Sequence, residues 1–149
     1  MILAAGKEGI FLLWFDTSTQ KWDHDVVGAG LPEASGLRYW GSGSLNIFRL
    51  GDDPVGYIAT YDAFLGNVVA VYTKPQNSTK CAASLKKNLW SRHVVDGFGP
   101  LSSDGQTGTI HHVAAIRLPT GTGESFAIAC MGAPINKRKE LIFLLNMKC

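Results

Sequence analysis

Two adjacent histidines, His111 and His112, are the residues in this sequence best suited to chemistry. An imidazole titrates near neutrality and ligates metals in its neutral form, so either ring could act as a general base or hold a divalent cation. The pair follows a glycine-rich loop, Gly105-Gln106-Thr107-Gly108, and enters an apolar segment that reads as an innermost strand. Neighbouring residues on a strand point to opposite faces, so both rings reach one metal only where the strand is bent. Otherwise one ring packs between sheets and the other bonds to a loop. Asp62, in Tyr61-Asp62-Ala63-Phe64-Leu65-Gly66-Asn67, is the second candidate. It could be a functional acid, or the carboxylate of a tight apolar turn that Asn67 caps through its side chain. Tyr39 and Trp40, with Asn67, are the candidate sugar contacts. Aromatic faces suit the C–H face of a pyranose and serve equally well as packing between sheets.

The segments that must position these residues repeat. Trp22-Asp23-His24-Asp25-Val26-Val27 parallels Trp90-Ser91-Arg92-His93-Val94-Val95. At the same offset, Leu45-Asn46-Ile47-Phe48-Arg49-Leu50 parallels Val113-Ala114-Ala115-Ile116-Arg117-Leu118, while Gly43 and Ser44 stand where the histidine pair does. Ile2–Ala5, Tyr57–Thr60 and Phe126–Ala129 form a third set, each followed by a second apolar run. Two registers agreeing on one offset identify a repeat protein.

Each unit is built of strands: short runs rich in Val, Ile, Tyr, Phe and Trp, bounded by Gly, Pro, Asp or Asn, without a helical stripe. The first strand type is Leu45–Leu50 or Ile110–Leu118, and the second is Tyr57–Tyr61 or Phe126–Cys130. Val68–Thr73 or Leu141–Asn146 is the third, and Trp22–Val27 or Trp90–Val95 the fourth. Four antiparallel strands per repeat, with a Trp opening the outermost, is the pattern of a β-propeller blade. The expected fold is all-β, a partial β-propeller of about two and a half four-stranded blades. The complete blade is expected at residues 41–98, between incomplete ones at 1–30 and 108–149. Fewer than three blades cannot close a ring that needs four to eight. Missing blades or self-association are therefore expected to complete it, and a piece of a longer propeller is favoured because nothing resembles a polar capping strand. His24 and His93, beside the outermost Trp, are expected on the surface.

Composition narrows the function. The 149 residues are 46% hydrophobic and 17% charged, with a net charge of +2, which excludes disorder. Fourteen Lys+Arg against 12 Asp+Glu leave no strong positive field, so no nucleic-acid partner is expected. No apolar run approaches the roughly 20 residues of a membrane helix, and the N-terminus lacks the charged and apolar regions of a signal peptide. A cytoplasmic protein without a membrane partner is expected. Cys81, Cys130 and Cys149 are an odd number without C-x-x-C spacing, so neither a disulfide framework nor a zinc knuckle is indicated. Gly51-Asp52-Asp53-Pro54 is too poor in alternating oxygens for a calcium loop.

Several stretches resemble fungal aldos-2-ulose dehydratases: Ala4-Ala5-Gly6-Lys7-Glu8-Gly9 leading into Leu12-Leu13-Trp14-Phe15, Tyr39-Trp40-Gly41-Ser42-Gly43, Tyr57–Thr60, Gly66–Lys74, Ile110-His111-His112-Val113 and Met131-Gly132. The resemblance runs over most of the chain and lies in that family's N-terminal seven-bladed propeller. It implies a carbohydrate lyase that removes water from 1,5-anhydro-D-fructose and related aldosuloses, a small carbohydrate substrate, a divalent metal ion and no organic cofactor. The family's cupin domains, which carry a zinc-dependent isomerisation, have no counterpart here. Carried over, His111 or His112 becomes base or metal ligand, and Asp62 metal ligand or acid. Propellers of this wider type often carry a histidine where this chain has Leu65, and leucine neither ligates nor transfers a proton. Catalysis is therefore expected to be impaired or to depend on missing parts. The alternative is a non-catalytic propeller module that binds a carbohydrate or a protein partner, and a third is an inert piece that aggregates through its open edges.

Overall fold

The structure is a computed structural model that describes residues 2–31, 40–50, 53–62, 68–74, 90–97, 110–118, 124–132 and 141–147. Their elements are strands: β1 Ile2–Gly6, β2 Gly9–Asp16, β3 Lys21–Gly28, β4 Ser44–Leu50, β5 Asp53–Asp62, β6 Val68–Thr73, β7 Ser91–Gly97, β8 Ile110–Leu118, β9 Glu124–Gly132 and β10 Leu141–Met147. They form three antiparallel sheets, β1-β2-β3, β4-β5-β6-β7 and β8-β9-β10. The all-strand reading is what the described residues build, in sheets of three, four and three strands. No helix among the described residues is long and apolar enough to cross a membrane.

Consecutive strands pair within each sheet, and in the first sheet the turns between them are short. In the first sheet, Gly6 pairs with Gly9 across a two-residue turn, and Gly9 takes a positive φ of 116° that side chains avoid. The next turn is held by Asp16, whose carboxylate accepts from the Ser18 amide at 2.9 Å and the Ser18 hydroxyl at 2.6 Å. Those bonds hold the Asp16 carboxyl below its ordinary pKa.

The middle sheet is covered on both faces. Along β6, Val69, Ala70, Val71 and Tyr72 are all buried, although alternate residues of a strand point in opposite directions. Ala70 and Tyr72 pack with Ile58 and Trp90 against Ile10, Leu12 and Val27 of the first sheet. Val69 and Val71 pack with Phe48, Ala59 and Tyr61 against Ile110 and Val113 of the third. Two apolar layers thus share one sheet, and each fully buried aliphatic or aromatic side chain contributes about 1.5–3 kcal/mol. The edge strands β3 and β7 are largely exposed. This agrees with the surface reading of His24 and His93, which are both exposed.

The link from β3 to β4 locks the first sheet to the second. Leu31 and Gly41 exchange two backbone hydrogen bonds of 2.9 and 2.8 Å, the Ser42 amide donates to Gly6 at 2.9 Å, and the Gly43 amide donates to Tyr61 at 2.9 Å. The Trp90 amide, just before β7, donates to Val27 near the end of β3 at 2.7 Å. Gly41 has a φ of 79°, and a methyl there would collide with the carbonyl oxygens of Gly6 and Lys7. Both the conformation and the closeness of two backbones require glycine. Gly41→Ala is expected to destabilise the fold by about 2–3 kcal/mol, read as a lower urea midpoint with unchanged slope. An unaltered midpoint would show that the link does not hold the sheets together.

Candidate functional site

The described candidate residues lie at one end of the sheets. At that end lie the β1–β2 turn, the β3–β4 link and the last residues of β5, drawn together by the Ser42–Gly6 and Gly43–Tyr61 bonds. β8 begins at Ile110, which the repeat aligns with Ser42, and so brings the histidine pair to the corresponding place in the next sheet. Trp40, Asp62, His111 and His112 therefore belong to one rim. Tyr39, Leu65 and Asn67 lie outside the described residues.

Asp62 stands on a strand rather than in a turn: its pairing with Val68 carries the β5–β6 ladder to the end of β5. Its carboxylate is completely buried. Oδ1 accepts from the Ser42 hydroxyl at 2.6 Å and the Thr60 hydroxyl at 3.0 Å. Oδ2 accepts from Arg92 Nε at 2.7 Å and from the Tyr72 hydroxyl at 3.4 Å. The Tyr72 oxygen in turn accepts from the Gly30 amide at 2.9 Å. Burial, reinforced by the Asp62 charge and partly offset by Arg92, pushes the Tyr72 phenol up to about 12, so it keeps its proton and donates. A carboxylate without exposed surface and with four donors has no lone pair turned toward a substrate. What the arrangement does is join strands β5, β6 and β7 to the link from the first sheet. The sequence drew attention to Asp62 but not to Ser42, Thr60, Tyr72 or Arg92. The signal for Arg92 was alternation: it is two places on from Trp90, hence on the face turned toward the first sheet.

The histidines are placed differently. The β8–β9 register shifts between Ile110 and His112, so His111 is the extra residue of a β-bulge. A bulge bends its strand and re-aims side chains, which is the condition for two neighbouring rings to share one ligand. His112 is exposed, while the side chain of His111 lies outside the described part of the chain. In the middle sheet the place of His111 is taken by Gly43, where a side chain would run into the Tyr61 ring. The imidazole is thus a feature of the third sheet alone. Trp40 is half-buried, with the Lys7 ammonium 3.9 Å above its ring. That contact occupies one face of the indole and brings a cation to the rim that the sequence reading did not include.

Among the described residues no three His, Cys, Asp or Glu side chains converge as metal ligands, and Asp62 already has its four donors. The described donors do not by themselves fit a divalent cation.

The family model for the aldos-2-ulose dehydratase β-propeller domain matches residues 1–75. The chain belongs to that family. Its sheets, stacked face to face with an apolar layer on either side of the middle one, are β-propeller sheets. It is also 43% identical over 132 residues to the aldos-2-ulose dehydratase of Phanerodontia chrysosporium, an alignment covering 89% of this chain. The chain spans 14% of the length of that relative.

Asp62→Asn keeps the shape but removes the charge that balances Arg92. Breaking such a pair costs about 3–5 kcal/mol when both groups are buried, and Arg92 keeps some contact with solvent, so a loss of about 2–3 kcal/mol is expected in urea unfolding. A stability equal to that of the parent would show that the carboxylate does not bind the sheets.

Proposed function

We propose that this chain forms part of a carbohydrate dehydratase propeller that removes water from 1,5-anhydro-D-fructose and related aldosuloses. The observation that carries the reading is the 43% identity to an aldos-2-ulose dehydratase along most of the chain. The rim supports it with groups of the required kinds. Dehydration next to a ketone needs a base for the α-proton, an acid for the departing β-hydroxyl, and a donor for the enolate oxygen. In this proposal His112, exposed on the inner strand of the third sheet, takes the α-proton, and His111 on the bulge beside it is the second imidazole. The electrons of the C–H bond form the C=C bond as the β-hydroxyl leaves with a proton as water. Trp40, with its neighbour Tyr39 and with Asn67, provides the sugar contacts, and the Lys7 ammonium over Trp40 stabilises the developing enolate. Asp62 supports the rim from beneath.

Arginine-bound Asp62, and leucine at position 65, favour the second reading, a module that holds a sugar without turning it over. The two are separated by incubating the protein with 1,5-anhydro-D-fructose and following ultraviolet absorption of the enone. Turnover that falls about 100-fold or more in His112→Ala, with the protein still folded, is the expected result. Sugar binding by calorimetry, lost in Trp40→Ala but without any absorbance change, would replace the lyase with the binding module.

A further inference from the structure

Ser42 is a polar residue without exposed surface, at a place where the repeat also accepts an apolar one. In the third sheet that place belongs to Ile110, buried among apolar neighbours. The same repeat puts Gly108 where the middle unit has Trp40. Serine and indole thus stand together in one repeat and are both replaced in the next. A buried hydroxyl is costly unless it is bonded, so the reason for this one lies in what its bonds hold.

Two bonds leave Ser42 for different sheets. Its hydroxyl donates to Asp62 Oδ1 at 2.6 Å, and its amide donates to the Gly6 carbonyl at 2.9 Å. Asp62 is itself fixed by Thr60, Tyr72 and Arg92. Gly6 immediately precedes Lys7, and Gly41 alone separates Ser42 from Trp40. Gly41 comes so close to the β1–β2 turn that a methyl on it would meet the carbonyl oxygens of Gly6 and Lys7. Both backbones are therefore pinned within two residues of the point where the Lys7 ammonium stands 3.9 Å above the Trp40 ring. Lys7 is exposed on a flexible four-carbon stem, so its place over the indole depends on where the two backbones stand.

We propose that Ser42 is a positioning residue for the sugar platform: by tying Gly6 to the buried carboxylate, it holds the Lys7 ammonium over Trp40 so that cation and indole meet one sugar together. This rests on the carbohydrate reading of the rim. Ser42 touches no substrate and acts only through Lys7 and Trp40. Its hydroxyl carries the order of the middle sheet across the seam to a turn of the first sheet, which no apolar residue at that place could do.

Proton NMR and calorimetry on the full chain are the test. The ε-methylene protons of Lys7, held above the indole, should resonate upfield of those of the other lysines, a signature that Trp40→Ala abolishes. In Ser42→Ala this upfield shift should be lost, and the affinity for 1,5-anhydro-D-fructose should fall about tenfold. Thr60→Ala is the matched control: it removes the other hydroxyl bonded to the same carboxylate oxygen, at 3.0 Å, and leaves the Ser42–Gly6 bond in place. It should retain both the shift and the affinity. A Ser42→Ala protein that keeps the shift, or a Thr60→Ala protein that loses it equally, overturns the proposal and leaves the carbohydrate reading untouched. A Ser42→Ala protein without a strand spectrum in circular dichroism overturns it as well, since the fold itself then requires the serine. A lost shift with unchanged affinity does the same, because the platform then does not meet the sugar. A parent protein that binds no sugar overturns the carbohydrate reading together with this inference.

Discussion

Burial of the middle sheet on both faces is the constraint from which the rest of the structure follows. A strand with only one covered face can alternate apolar and polar residues, whereas β6 presents four consecutive buried residues. That leaves little surface on the described side chains of β5 and β6 for solvent-exposed reactive groups. Polar groups must then lie at the ends of strands or be fully paired within the seam. Both outcomes are seen: the histidine pair opens β8, and Asp62 sits in the seam with every oxygen engaged.

The ion pair in that seam illustrates how charge and packing divide the work. Apolar contact between Ile58, Ala70, Tyr72 and the first sheet is non-directional and would tolerate sliding. Hydrogen bonds are directional. The Ser42 hydroxyl reaches Asp62 while its amide reaches Gly6, and the Tyr72 hydroxyl receives Gly30. Both the link and the first sheet are therefore tied to one carboxylate, and the relative position of the two sheets is set at the end where the candidate residues stand. Burial keeps the Tyr72 proton in place and so preserves the direction of that network.

The fold was legible in the sequence because strand alternation and the constant repeat offset are local signals that survive without knowledge of what packs on what. Val68–Thr73 and Ile110–Leu118 could be bounded to the residue, since turn-forming residues flank them. Asp53–Asp62 extends further than the apolar core of that strand because backbone pairing continues through polar positions. The site was only partly legible. Asp62 could be chosen as chemically interesting, but its partners come from positions 42, 60, 72 and 92, and no spacing rule brings those together. Arg92 stands on an edge strand whose other residues are mostly exposed, and only the length of its side chain returns it to the seam.

The bulge at the start of β8 bears on the function proposed for the chain. Neighbouring imidazoles on a regular strand would be separated by the sheet itself, so a base and its partner would never address one substrate. The extra residue at His111 breaks that regular alternation, and pairing resumes at His112 with Met131 and continues in register to Leu118. In the middle sheet the corresponding glycine is pressed under Tyr61, which closes the same place. One repeat therefore has a glycine under Tyr61 at the strand entrance, and the next has a histidine at a bulge there. A family built from duplicated sheets can acquire a reactive group in this way at one rim position while the seams that hold the sheets together remain unchanged.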